Sequence, residues 1–106
     1  MREASRQRLP NRRGSENFAV TCGGLAYTAT ASWYADGRLG EVFLVNHKAG
    51  SAAGIMASDA AIAAGLALQF GCPVDVLRKA LSRDVRGNAT GPLGAALDLI
   101  ARESAQ

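Results

Sequence analysis

Between Glu41 and Leu81 the sequence reads EVFLVNHKAGSAAGIMASDAAIAAGLALQFGCPVDVLRKAL. A strand runs into a Lys-Ala-Gly-Ser turn. The turn opens a long helix of small residues, and Gly71-Cys72-Pro73 breaks that helix before a second one begins. No other part of the chain constrains the fold as much. It puts backbone amides and a lysine at a helix N-terminus, and its Ala and Gly residues let the helix lie close to a sheet or a partner helix. Ser51 is the expected N-cap. Ile55, Ile62 and Leu66 follow the 3.6-residue period and form the expected buried stripe, flanked by Met56 and Phe70. Gly54 and Gly65 each weaken a helix by ~1 kcal/mol relative to Ala, and read as close-packing positions. Asp59 falls at the edge of the stripe, as a boundary residue or as a buried acid with a partner.

Upstream, Phe18, Val20 and Cys22 alternate with Ala19 and Thr21, which is strand period. Gly23-Gly24 supplies the positive φ values of a tight hairpin. Leu25 to Tyr34 is rich in Thr, Tyr and Trp, and Asp36-Gly37 signals a second hairpin into a strand from Leu39 to Asn46. Trp33 and Tyr34 fall on opposite sheet faces, so one of them is expected to be exposed as a stacking or interface residue. Downstream, Gly71 suits a helix C′ position, Cys72 an N-cap and Pro73 a first helical position. Val74, Leu77 and Leu81 form the stripe of the second helix, with Arg78 and Lys79 outward. After a polar loop from Ser82, Gly91-Pro92 opens a third helix with Leu93, Ala96, Leu97 and Ile100 on one face. The fold class is α+β, a three-stranded antiparallel meander followed by two to three helices packed on one face, since three strands cannot bury a face alone.

At 106 residues the chain is long enough for one domain. Residues 1–14 carry Arg2, Arg6, Arg8, Arg12 and Arg13 against Glu3, so the net charge of +3 belongs to this arm and the body is near neutral. The segment lacks apolar periodicity and is expected to be a disordered basic arm, ahead of one domain over residues 15–106. It reads either as a nucleic-acid arm working through phosphate contacts or as a solvated terminus. Without a secretory signal or an uninterrupted apolar run of about 18 residues, a cytoplasmic protein with no membrane span is expected. Cys22 and Cys72 form no CxxC and are expected as free thiols. Cys72 at a helix start reads as reactive or as a small apolar cap, and the cap is favoured.

Four residues between the third strand and the first helix, His47, Lys48, Gly50 and Ser51, form the first candidate site. Free N–H groups and the helix dipole suit an anion there, such as a phosphate of a nucleotide or nucleic acid, and Lys48 adds charge. The same residues also read as a routine Ser-capped helix start. Arg83 and Arg86 form a second polar group, for helix capping or partner contact. His47 is the one histidine, and it has no nearby ligand pattern for a metal and no partner for catalysis. No catalytic residue, cofactor or metal is implied. The two open sheet edges predict a homodimer by edge pairing.

Taken in order, VTCGGLAYTATAS, Asp36-Gly37-Arg38, EVFLVN, the KAGS turn, the Ala-rich helix ending LALQFG, and PVDVLRKAL resemble the TSCPD domain. That domain occurs at the C-terminus of adenosylcobalamin-dependent (class II) ribonucleotide reductases and in stand-alone proteins. The resemblance runs from about Phe18 to Leu81, more than half the chain. It implies a non-catalytic stand-alone accessory domain that binds a reductase-type partner protein or a nucleotide-related ligand. The Thr-Ser-Cys-Pro-Asp motif itself is absent, with RDVRGNATGPLGAALDLIARES in its place. No thiol-relay or zinc role carries over, and neither do the catalytic barrel and cobalamin site. The alternative is a small nucleic-acid-binding protein using the Arg-rich arm and the Lys48 turn.

Overall fold

The computed structural model describes residues 5–48 and 50–104, so Arg2 of the arm lies outside the described residues. The elements are β1 (Ser15–Cys22), β2 (Leu25–Trp33), β3 (Leu39–Asn46), α1 (Ala52–Gln69), α2 (Val74–Ala80) and α3 (Pro92–Ser104). The strands form an antiparallel sheet in the order β1-β2-β3, as the alternation predicts. Cys22 pairs with Leu25 across Gly23-Gly24, whose φ angles of +58° and +75° are those of a primed hairpin turn. The second hairpin turns at Gly37 (φ +91°), where the Asp36 carboxylate accepts the Arg38 N–H at 3.1 Å. Opposite Ser32 and Trp33 the register shifts, and Gly40 of β3 is the extra, unpaired residue between Leu39 and Glu41.

The helices cover one face. Val20, Tyr27, Ala29, Ala31, Val42 and Leu44 point from the sheet into the core and meet Ala57, Ala61 and Ala64 of α1 and Leu93, Ala96, Leu97 and Ile100 of α3. The expected α3 stripe is therefore the buried one. In α1 the expected stripe is inverted. Ala57, Ala61, Ala64, Gly65 and Leu68 face the sheet, while Ile55, Met56, Ile62, Leu66 and Phe70 are exposed. The cause is backbone proximity: a Cβ added at Gly65 would lie 3.9 Å from the Glu41 Cα, a distance a bulky stripe would not permit. Being apolar on all sides, α1 is also long and apolar enough to cross a membrane by length and composition alone, as core helices of soluble proteins can be.

Three local expectations need correction. Pro73, not Cys72, is the N-cap of α2, without a side-chain cap. Arg78 does not face outward, because its guanidinium bonds Asp98 of α3 at 3.0 Å. Neither Trp33 nor Tyr34 is exposed: Trp33 packs against the core, and Tyr34 is buried under the N-terminal segment. Instead Phe43, on the uncovered sheet face, is the exposed aromatic residue of the strands.

Residues 5–14 have no regular secondary structure, yet they are tied to the body. The Gln7 N–H donates to the Gln69 carbonyl at 2.8 Å, and Arg6 Nε to Gln69 Oε1 at 2.5 Å. The Tyr34 hydroxyl donates to the Gln7 carbonyl, and Arg13 pairs with Glu41 at 3.0 Å. Gln69 Nε2 in turn donates to the Gly40 carbonyl at 3.0 Å, so one buried amide joins the segment, α1 and β3.

Candidate functional site

The β3–α1 junction is organised by Asn46, a buried residue absent from the sequence-derived candidates. Its Oδ1 accepts the Lys48 N–H at 2.8 Å and the Ser51 hydroxyl at 3.4 Å. Ser51 caps α1 as expected, its Oγ accepting the Gly54 N–H at 3.0 Å. Gly50 takes φ +73°, which a Cβ would strain. A Cβ on Gly54 would come within 3.1 Å of the Asn46 Cβ, so the first turn of the helix sits directly on that side chain. Asn46 is legible as a turn residue only once its partners are known.

Lys48, Gly50, Gly54, Ile55, Ser58 and Asp59 help line an open cleft of about 360 Å3 beside this junction. The cleft holds one cation and one carboxylate, and one first-turn amide is already occupied by Ser51 Oγ. His47 leaves the group: its Nε2 lies 3.1 Å from Thr28 Oγ1 on the open sheet face.

Arg83 and Arg86 are not part of that cleft. Arg83 makes a two-pronged contact with Asp98, at 2.7 Å and 2.9 Å, and also donates to the Gly87 and Arg78 carbonyls. These bonds, with those of Arg78, hold the Asp98 carboxyl at about 2, well below the usual range, against a smaller opposing effect of desolvation. The Arg83 guanidinium is correspondingly raised. The cluster fastens α2, the Arg83–Ala89 turn and α3 together. Arg86 sits in the exposed turn, its N–H bonded to the Asp84 carboxylate at 2.9 Å. Asp98 was missed in sequence because its i-to-i+15 and i-to-i+20 partners come from other elements.

Of the arm, Arg6 and Arg13 are engaged within the protein, and Arg8 and Arg12 are exposed or solvent-facing with no such ion pair among the described residues. Cys22 and Cys72 are free thiols. Cys72 and Trp33 line an apolar cleft of about 450 Å3 between the sheet, α1 and α3. No group of three or more His, Cys, Asp or Glu side chains is arranged for a metal among the described residues.

No family model matches the chain, and no solved structure is matched. Curated proteins are matched over part of their length. The chain is 40% identical over 70 residues to a vitamin B12-dependent ribonucleotide reductase of Agrobacterium fabrum, covering 66% of this chain and 6% of the relative. It is 45% identical over 76 residues to the enzyme of that name in Bradyrhizobium diazoefficiens, covering 71% of this chain and again 6% of the relative. A third, from Streptantibioticus cattleyicolor, is 40% identical over 70 residues, which is 12% of its length. The B12 group itself does not fit here. A cleft of about 450 Å3 suits a drug-sized molecule rather than a corrinoid, and His47, the one histidine, lines none of the clefts described above. The chain thus shares partial homology with a small region of vitamin B12-dependent ribonucleotide reductases.

Proposed function

We propose that the chain acts as a non-catalytic, stand-alone accessory domain of the TSCPD kind, serving a reductase-type partner protein in deoxyribonucleotide metabolism. The observation that carries this reading is the match itself. A segment of 70 to 76 residues that makes up 6% of the Agrobacterium and Bradyrhizobium reductases recurs here at 40–45% identity. The site geometry supports a docking role. The ion pairs of Arg78 and Arg83 with Asp98 and of Arg13 with Glu41 join elements of the fold. The Lys48 cleft is the place for a nucleotide-related ligand in this reading. The arm favours a nucleic-acid role less, because Arg6 and Arg13 already hold Gln69 and Glu41.

The test is binding of the purified chain to the full-length B12-dependent reductase from the same cells, by interferometry, with a nucleotide thermal-shift series alongside. Saturable binding to the reductase is expected, or a nucleotide shift that Lys48→Ala abolishes. Silence in both assays, with salt-sensitive DNA binding lost on removing residues 1–14, would transfer the function to nucleic acid.

A further inference from the structure

The apolar cleft of about 450 Å3 lies where the α1–α2 break, the β2–β3 hairpin and the second half of α3 meet. Leu68, Leu97 and Ile100, all buried, line it together with Trp33 and Val74, which are partly buried. Its size is within the ~300–1,000 Å3 of sites that enclose small molecules. Arg38, half exposed at the mouth, is the one charged residue among those that line it. The neighbouring clefts are balanced or uncharged. Lys48 is set against Asp59, Arg102 against Asp98 and Arg6 against Glu41. The cleft beside Tyr27 and Met56 has no charged residue. Among these clefts the one at Trp33 alone combines an apolar interior with an unbalanced positive charge. That combination is complementary to a ligand with an apolar body and one negative charge.

Arg38 is already held in place for such a ligand. The hairpin that carries it is closed by the Tyr34 N–H on the Arg38 carbonyl and the Gly37 N–H on the Tyr34 carbonyl, both at 2.9 Å. Its guanidinium stacks 4.6 Å from the centre of the buried Tyr34 ring. Nε donates to Asp36 at 2.8 Å and Nη2 to Gln7 Oε1 at 2.9 Å, while Nη1 makes no hydrogen bond among the described residues. The ordering of this side chain, which a ligand would otherwise have to impose, is largely met in the free protein. Asp36 does not line the cleft and is 57% exposed, so water screens its pull on the guanidinium.

We propose that this cleft binds a small apolar monocarboxylate. Its body packs on Trp33, Leu68, Leu97 and Ile100, and its carboxylate accepts hydrogen bonds from Arg38. One guanidinium balances one carboxylate, whereas a phosphate monoester at about −1.5 to −2 leaves negative charge uncompensated beside an apolar interior. The proposal rests neither on the reductase partnership nor on the Lys48 cleft.

The experiment follows the emission of Trp33, the one tryptophan, while the full chain is titrated with decanoate, decanol and decyl phosphate below the onset of their aggregation. One decanoate per chain is expected, bound at least tenfold tighter than decanol and tighter than decyl phosphate. Arg38→Gln, with circular dichroism to confirm its fold, should weaken decanoate at least tenfold and leave decanol unchanged. Bound decanoate should also slow maleimide labelling of Cys72, which lines the cleft, and leave Cys22 at its free rate. The absence of a saturable response overturns the proposal, as does equal affinity for decanoate and decanol. Full affinity in Arg38→Gln, or slowing at Cys22 in place of Cys72, assigns the binding to another surface and likewise overturns it. Decyl phosphate bound as tightly as decanoate overturns the monocarboxylate class.

Discussion

The two long helices lie on the same sheet face and solve the burial problem in opposite ways. α3 turns its large side chains inward, Leu97 and Ile100 among them. Its outward-reaching Asp98 is closed off by two arginines. α1 turns its smallest residues inward and its largest outward. The α3 side is complete within one chain, whereas the α1 side gains close approach to β3 and leaves its bulky apolar residues exposed. Periodicity marks both stripes equally well. Which stripe goes inward depends on how near the backbone must come to the sheet.

The comparison breaks most severely at Leu97. Leu97→Ala should cost about 2–5 kcal/mol in urea unfolding, because the site is enclosed. Ile62→Ala, at a half-exposed position, should cost no more than about 0.5 kcal/mol. Equal costs would mean that α1 buries Ile62 after all.

Asp98→Asn should cost about 1–3 kcal/mol at neutral pH, since it strips both arginines of their counter-charge. The pH dependence sharpens this. The folded carboxyl lies at about 2 and the unfolded one at the ordinary ~3.9, so the contribution is present above pH ~4 and fades as pH falls toward ~2. The gap between wild type and variant should therefore narrow across that window. A gap constant down to pH ~2 would assign the loss to packing instead.

Smallest, and opposite in sign, is Gly65→Ala. The added Cβ meets only ordinary contacts at 3.9 Å, and Ala is the better helix former, so the change should stabilise by about 0.5–1 kcal/mol. A lower Tm would show that α1 lies nearer to β3 than these distances say.

Most of the architecture was legible in the sequence because its signals are local. Gly23-Gly24 and Asp36-Gly37 marked the hairpins, Ser51 the start of α1, Gly71 its end and Pro92 the start of α3. The inversion of α1 was hidden because Ala and Ile are both apolar, and pattern alone does not rank them by the gap they leave to a sheet. The candidate site was half legible. Lys48, Gly50 and Ser51 do share one turn, but Arg83 is drawn away by Asp98 and His47 by Thr28, both partners brought in from other elements. The buried amide of Gln69 left no local signal, since its bonds run to Gly40 and Arg6.

The contact between Gly54 and Asn46 acts as an index pin for the roll of α1 about its own axis. With glycine in place, the helix backbone rests on one side chain at the strand end. Rolling the helix by half a turn would swing Ile55 and Ile62 toward the sheet but would lift Gly54 off that seat. It would also break the Asn46 bonds that hold the turn. The rotary phase of an 18-residue helix is thus set within its first turn, and the face it offers to other molecules is decided before any of its large residues makes a contact.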